Sequence, residues 1–63
     1  MSDFKIRLQT EESELTEKII KLMDFLDGEV IKTIDKDQRT LLTIQLQAMM
    51  TYQTCLKERL VRL

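Results

Sequence analysis

The side chains that could perform chemistry in this sequence are few, and they are not spaced like those of a known catalytic site. The chain contains one cysteine, Cys55, and no histidine. A cysteine thiolate can act as a nucleophile, but no histidine is present to activate it, although Lys57 and Arg59 are close in sequence. We therefore expect Cys55 to be a small packed residue. No glycine-rich phosphate loop and no metal-ligand spacing occurs, so we expect a protein that is not an enzyme and uses no cofactor or metal.

Two polar residues, Glu12 and Gln53, interrupt otherwise apolar heptad patterns. They could form a small polar site inside a helical bundle. Alternatively, they could hydrogen-bond to each other or to Tyr52 and fix the register of the helices, as polar core residues do in coiled coils. A third interpretation is that Glu12 reaches solvent near a frayed helix end.

Positive charge is concentrated in the second half of the chain. Residues 1–35 carry five basic and nine acidic side chains, whereas residues 36–63 carry five basic and two acidic ones. An anion could contact basic residues of this half, namely Arg39, Lys57, Arg59 and Arg62. Glu58 interrupts this group and no aromatic residues alternate with it, so nucleic-acid binding is only a minor hypothesis.

The composition predicts one small helical domain. The chain has 63 residues, no proline and one glycine, which favours long helices. We place the first helix at about residues 3–27, an apolar connection at about 28–35 and the second helix at about 36–62. The result is a single helical-hairpin domain, residues 1–63.

The connection contains recognisable helix-end signals. Gly28 can adopt the left-handed conformation that ends many helices. Asp35 and Gln38 have the spacing of a capping box at the start of the second helix. Because the intervening residues are apolar, we expect a short helical turn that covers the end of the bundle.

The apolar residues of both helices recur at heptad spacing, and the two patterns fit each other. In an antiparallel hairpin, the residue numbers of facing layers have a constant sum, and here every layer adds to 68, from Leu26 with Leu42 to Leu8 with Leu60. We therefore predict an all-α antiparallel helical hairpin. Its expected core consists of Leu8, Leu15, Ile19, Leu22, Leu26, Leu42, Leu46, Met49, Leu56 and Leu60.

The second helix carries more apolar surface than a hairpin can cover. Residues 40–56 contain no charged side chain, yet the segment is too short and too rich in threonine and glutamine to span a membrane. A second apolar row, here called the outer stripe, consists of Leu41, Ile44, Ala48, Tyr52 and Cys55. Such a patch marks an interface, and we expect a homodimer that forms a four-helix bundle. Parallel packing, antiparallel packing and exchange of helices between chains are open alternatives.

Three motifs along residues 21–60 resemble those of a known group of proteins. The motifs are K-L-x-x-F-L at Lys21, Leu22, Phe25 and Leu26; L-L-x-x-Q-x-x-A-M-x-x-Y at Leu41, Leu42, Gln45, Ala48, Met49 and Tyr52; and L-x-x-R-L at Leu56, Arg59 and Leu60. With the start DFKIRLQTEESEL, they resemble a family of very small all-helical accessory proteins of tailed phages. The chain is also similar to an early-region protein that lambdoid phages encode between their exonuclease and excisionase genes.

This resemblance implies a protein made in the cytoplasm of an infected bacterium, which agrees with a single unpaired cysteine and with a first segment that lacks a signal-peptide core. The leading hypothesis is an early protein that binds a host protein and modulates lysis or lysogeny. A second hypothesis is an anti-defence sponge that sequesters cyclic nucleotide signals as a higher oligomer. The third is a DNA-associated regulator that uses a basic helix end.

Overall fold

The two predicted helices are present and pack against each other as an antiparallel hairpin. The computed structural model describes residues 2–63, with Ser2 described by its backbone alone. Helix α1 spans Ser2–Leu26, a short 3-10 helix spans Val30–Thr33, and helix α2 spans Lys36–Val61. The described chain measures 47 × 15 × 13 Å, which corresponds to two long helices side by side. The expected all-α hairpin is confirmed.

Local sequence favours both helices. Neither contains glycine or proline, and an acidic residue lies in each first turn, Asp3 in α1 and Asp37 in α2, where it interacts favourably with the positive end of the helix dipole. Arg59 lies in the last turn of α2, where the dipole favours a cation. Within residues 2–63, neither helix has a stretch apolar and long enough to cross a membrane.

Gly28 does not adopt the left-handed conformation that we expected. No residue of the described chain, glycine included, has a positive φ in the left-handed region. Helix α1 instead ends with a bond from the Gly28 amide to the Phe25 carbonyl at 3.2 Å, and the chain continues into the 3-10 helix. Because the chain enters the 3-10 helix through Glu29, whose φ of −83° and ψ of −30° are right-handed, no left-handed residue is required there. A Cβ added to Gly28 would lie 3.4 Å from the Asp24 carbonyl oxygen.

The connection forms the expected helical turn, and one of its residues joins the core. Ile31 is buried, while Val30 beside it remains exposed. The following helix begins with an ordinary N-cap, because the Asp35 carboxylate accepts a hydrogen bond from the Asp37 amide at 3.0 Å. Gln38 is exposed, and the described residues show no bond from its side chain back to Asp35. The capping-box expectation was therefore wrong, since a capping box requires a bond to the Gln38 amide and one from the Gln38 side chain.

The core lies along the contact between the helices. Leu56 is 0% exposed, and Leu8, Leu15 and Ile19 of α1 pack with it. Half-buried residues extend this core in both directions, and they are Leu22, Leu26, Leu42, Leu46, Met49 and Leu60. Every residue of the expected hairpin core is thus buried or half-buried. Burial of such side chains contributes about 1.5–3 kcal/mol each, so this seam stabilises the hairpin and fixes its register.

Candidate functional site

The two polar seam residues meet through a third residue, Thr16. The Gln53 Nε2 atom donates to the Thr16 hydroxyl at 2.7 Å, and that hydroxyl donates to the Glu12 carboxylate at 2.7 Å. All three side chains are half-buried. Glu12 and Gln53 therefore do not bond directly, and the exposed Tyr52 is not part of the network. Thr16 follows Glu12 by one helical turn, which is the signal that could have identified it.

This network links α1 to α2. Among the described side chains, every buried nitrogen or oxygen atom has a hydrogen-bond partner. A satisfied network of this kind specifies the helix register. We therefore interpret Glu12, Thr16 and Gln53 as a structural element rather than as a binding site.

The four basic residues singled out from the sequence do not form one cluster in the chain. Arg39 lies near the start of α2 and Lys57 near its end, so about 27 Å of helix separates them. The Arg59 guanidinium lies over the Phe4 ring, with 5.9 Å between its Cζ atom and the ring centroid. Arg62 pairs with the Glu58 carboxylate at 2.5 Å. A continuous basic surface for DNA is therefore absent from residues 3–63 of one chain.

Arg39 lines a depression in the surface. Lys36, Thr40 and Thr43 complete the lining, and the volume is about 330 Å³. We call this feature the α2-start depression. The sequence analysis missed its three other residues, although their spacing of three or four residues places all four on one side of α2.

The lining of the α2-start depression has the chemistry of an anion site. It offers an ammonium group, a guanidinium group and two hydroxyls, and none of its residues carries a carboxylate. The Thr43 hydroxyl donates to the Arg39 carbonyl at 3.1 Å, which fixes the direction of this side chain. Lys36 of this lining lies in the first turn of α2, where the positive end of the helix dipole favours an anion.

A second depression near the connection has the opposite character. Its volume is about 350 Å³, and it is lined by Met23, Asp24, Leu26, Asp27 and Leu46. The two aspartates make it unfavourable for a phosphate or a carboxylate. Of these two depressions, the α2-start depression is therefore the more favourable for an anion.

The outer stripe has no partner within the chain. Leu41 is 57% exposed, Ile44 is 54% exposed and Tyr52 is 44% exposed. Cys55 is also exposed, although we expected it to be packed. The reason is its position, because Cys55 lies in the outer stripe and not in the seam that α1 covers.

Comparison with known proteins identifies one family. A family model described as Sequestin matches residues 2–62. No curated protein and no solved structure matches the chain.

Proposed function

The chain belongs to the Sequestin family, and from this membership we propose that it is a non-catalytic protein that sequesters a small phosphate-bearing molecule of the nucleotide-signal class. Sequestins are small phage-type anti-defence proteins, and the family name itself refers to sequestration. The coarser part of this description, a small phage-type protein that acts by binding, follows from the family. The ligand class and the site of action, the cytoplasm of an infected cell, are our proposals.

The observation that carries the proposal is the lining of the α2-start depression. Lys36 and Arg39 supply charge-assisted donors for phosphate oxygens, and Arg39 can bind two such oxygens at once. Thr40 adds a hydroxyl donor at the same surface, whereas the Thr43 hydroxyl already donates its hydrogen to the Arg39 carbonyl. A volume of about 330 Å³ lies at the lower end of the range for small-molecule sites, which suits one phosphate-bearing group of a larger ligand.

Sequestration requires binding without chemistry. The protein lowers the free concentration of the ligand when its own concentration exceeds both the dissociation constant and the amount of ligand. The residues that line the α2-start depression include no cysteine, histidine or carboxylate that could serve as a nucleophile or general base. We therefore propose that the ligand is released unchanged when the protein unfolds.

Calorimetric titration of charge variants tests this site. We expect the double variant Lys36→Gln, Arg39→Gln to bind about 100-fold more weakly than the wild type, since each removed cation costs about tenfold at an exposed phosphate contact. The probes are inorganic phosphate, a 3′,5′-cyclic mononucleotide and a cyclic dinucleotide.

The matched control is Lys57→Gln, Arg62→Gln, which removes the same charge from the other end of α2. At physiological salt, charges so far from the site are screened, so this variant should bind within about twofold of the wild type. Equal losses in both double variants would contradict a local site, and an absence of heat with every probe would contradict the ligand class.

A host protein as the sequestered ligand is the second candidate. Helix α1 exposes several large apolar side chains that neither the seam nor the outer stripe includes, namely Ile6, Ile20 and Met23. Such surface can dock a partner protein and shift host or phage development. Stable capture of one specific host protein, together with no heat from the nucleotide probes, would favour this candidate over the first.

A further inference from the structure

The residues of the outer stripe are symmetrically spaced along α2. Extended by one charged residue at each end, it consists of Asp37, Leu41, Ile44, Ala48, Tyr52, Cys55 and Arg59. The intervals are 4, 3, 4, 4, 3 and 4 residues, so the pattern is symmetric about Ala48. At about 100° per residue, all seven positions fall within an arc of about 80° on one side of the helix.

We propose that this surface binds a second copy of the chain, with the two α2 helices antiparallel and a twofold axis at Ala48. In this register, the residue numbers of facing positions add to 96. Leu41 then meets Cys55 of the second copy, Ile44 meets Tyr52, and Ala48 meets its own equivalent. Each large side chain thus faces a side chain of different size or shape, and the alanine at the axis allows the helices to approach closely.

Charge complementarity selects this register and direction. Asp37 at one end of the stripe faces Arg59 of the second copy, and the twofold axis repeats the contact at the other end. Neither side chain belongs to an ion pair in the part of the chain that the structure describes. The Arg59 guanidinium lies over the Phe4 ring, a contact that occupies none of its N–H donors. A parallel, in-register dimer would instead place Asp37 against Asp37 and Arg59 against Arg59, and like charges repel at such distances.

The remaining cations of α2 do not oppose this pairing. Arg39 and Lys57 would also face each other by number, but both lie about 180° around the helix from the centre of the outer stripe. They therefore point away from the second copy.

The hairpin and the dimer can form at the same time. The centre of the outer stripe lies about 120° around α2 from the centre of the seam with α1. The α2-start depression lies on a third side of the helix and stays uncovered in the dimer. The inference concerns assembly only, so it can fail or succeed independently of the proposed ligand.

Disulfide trapping tests the register directly. In an Ala48→Cys, Cys55→Ser chain, an interaxial distance of about 9–10 Å would bring the two Cα atoms at the axis to about 4.4–5.4 Å, which a disulfide can bridge. We expect oxidation to yield a covalent dimer in high yield. The matched control is Gln47→Cys, Cys55→Ser, which moves the thiol about 100° around the helix and should yield none.

The wild-type chain provides a second readout from the same experiment. In the proposed register, the two Cys55 residues lie about 21 Å apart along the helices, so oxidation should not link them. In a parallel dimer they would be adjacent. A linked wild type, an unlinked Ala48→Cys chain, or equal linkage of the Gln47→Cys control would each overturn the proposal.

A charge exchange measures the same contact in solution without covalent bonds. We expect Asp37→Arg and Arg59→Asp each to raise the dimer dissociation constant about tenfold, because each creates two unfavourable contacts. The dimer dissociation constant of the double variant should lie within about threefold of the wild-type value. If the double variant dimerised more weakly than both single variants, Asp37 would not face Arg59 of the second copy.

Discussion

Thr16 is a single side chain that connects the two helices. Its hydroxyl accepts from Gln53 of α2 and donates to Glu12 of its own helix, each at 2.7 Å. Both neighbours are half-buried, so loss of the hydroxyl leaves each with fewer partners and little access to water. Thr16 therefore contributes more to the free energy of unfolding than an ordinary surface threonine does.

Replacement of Thr16 by valine tests this interpretation, because valine keeps the shape and removes the hydroxyl. We expect the free energy of unfolding to fall by about 1–2 kcal/mol in urea titrations. Thr54→Val is the control, since that hydroxyl is exposed and bonds only to a backbone carbonyl of its own helix. All chains must be compared at one protein concentration, because dimerisation shifts apparent stability. Equal losses in both variants would contradict a special role for Thr16.

Gly28 offers a second test at the level of one residue. Its φ lies outside the left-handed region, and an added Cβ would make only ordinary contacts with backbone oxygens. We expect Gly28→Ala to raise the free energy of unfolding by about 0.4–1 kcal/mol, because alanine reduces the entropy of the unfolded chain. A loss of more than about 1 kcal/mol would indicate a left-handed residue in solution.

Among the elements, the start of α2 combines a structural cap with the candidate binding surface. Asp35 caps the helix through the Asp37 amide, and the next two turns present Lys36, Arg39, Thr40 and Thr43. A well-formed first turn is therefore a condition for placing these cations correctly. Stability of the cap and affinity for an anion are coupled in this account.

Two substitutions distinguish a simple N-cap at Asp35 from a full capping box that also uses Gln38. We expect Asp35→Ala to lower the free energy of unfolding, measured by thermal denaturation, by about 1 kcal/mol, the usual contribution of an N-cap side chain. Gln38→Ala should stay within about 0.5 kcal/mol of the wild type, because Gln38 is exposed and does not complete a capping box. If Gln38→Ala were as harmful as Asp35→Ala, the full capping box would be present in solution.

Elements with strong periodicity were predictable from the sequence. The heptad spacing locates the seam, and the constant sum of 68 predicts an antiparallel hairpin. Helix bounds follow from the same pattern, since α1 and α2 end within one or two residues of the expected positions. These features are determined by the burial of apolar side chains, which recur in the sequence with the period of the helix.

Features that depend on local geometry were less predictable. Glycine permits left-handed backbone without requiring it, so the sequence could not decide the conformation of Gly28. Thr16 and the α2-start depression were missed because their residues lie beside the seam, where polar side chains carry no periodic signal. Exposure of Cys55 was missed for a different reason, since the residue belongs to a surface that only another molecule can cover.

At the scale of the whole molecule, the surfaces of α2 divide into distinct roles. One side packs on α1, the outer stripe presents a self-complementary row, and a third side holds the α2-start depression. A hairpin of this size buries little surface by itself, so a second copy would add stability that the seam alone does not supply. The same assembly would present two identical depressions for ligand.

The account rests on binding without chemical change, and one measurement tests that directly. Purified protein is saturated with a cyclic nucleotide probe, freed of unbound probe, and unfolded with heat, and the released small molecule is identified and quantified by mass spectrometry. We predict unaltered probe in a fixed ratio to the protein, and little probe carried by Lys36→Gln, Arg39→Gln. Recovery of a cleaved product, or of no probe at all from the wild type, would contradict sequestration of a cyclic nucleotide as the function of this chain.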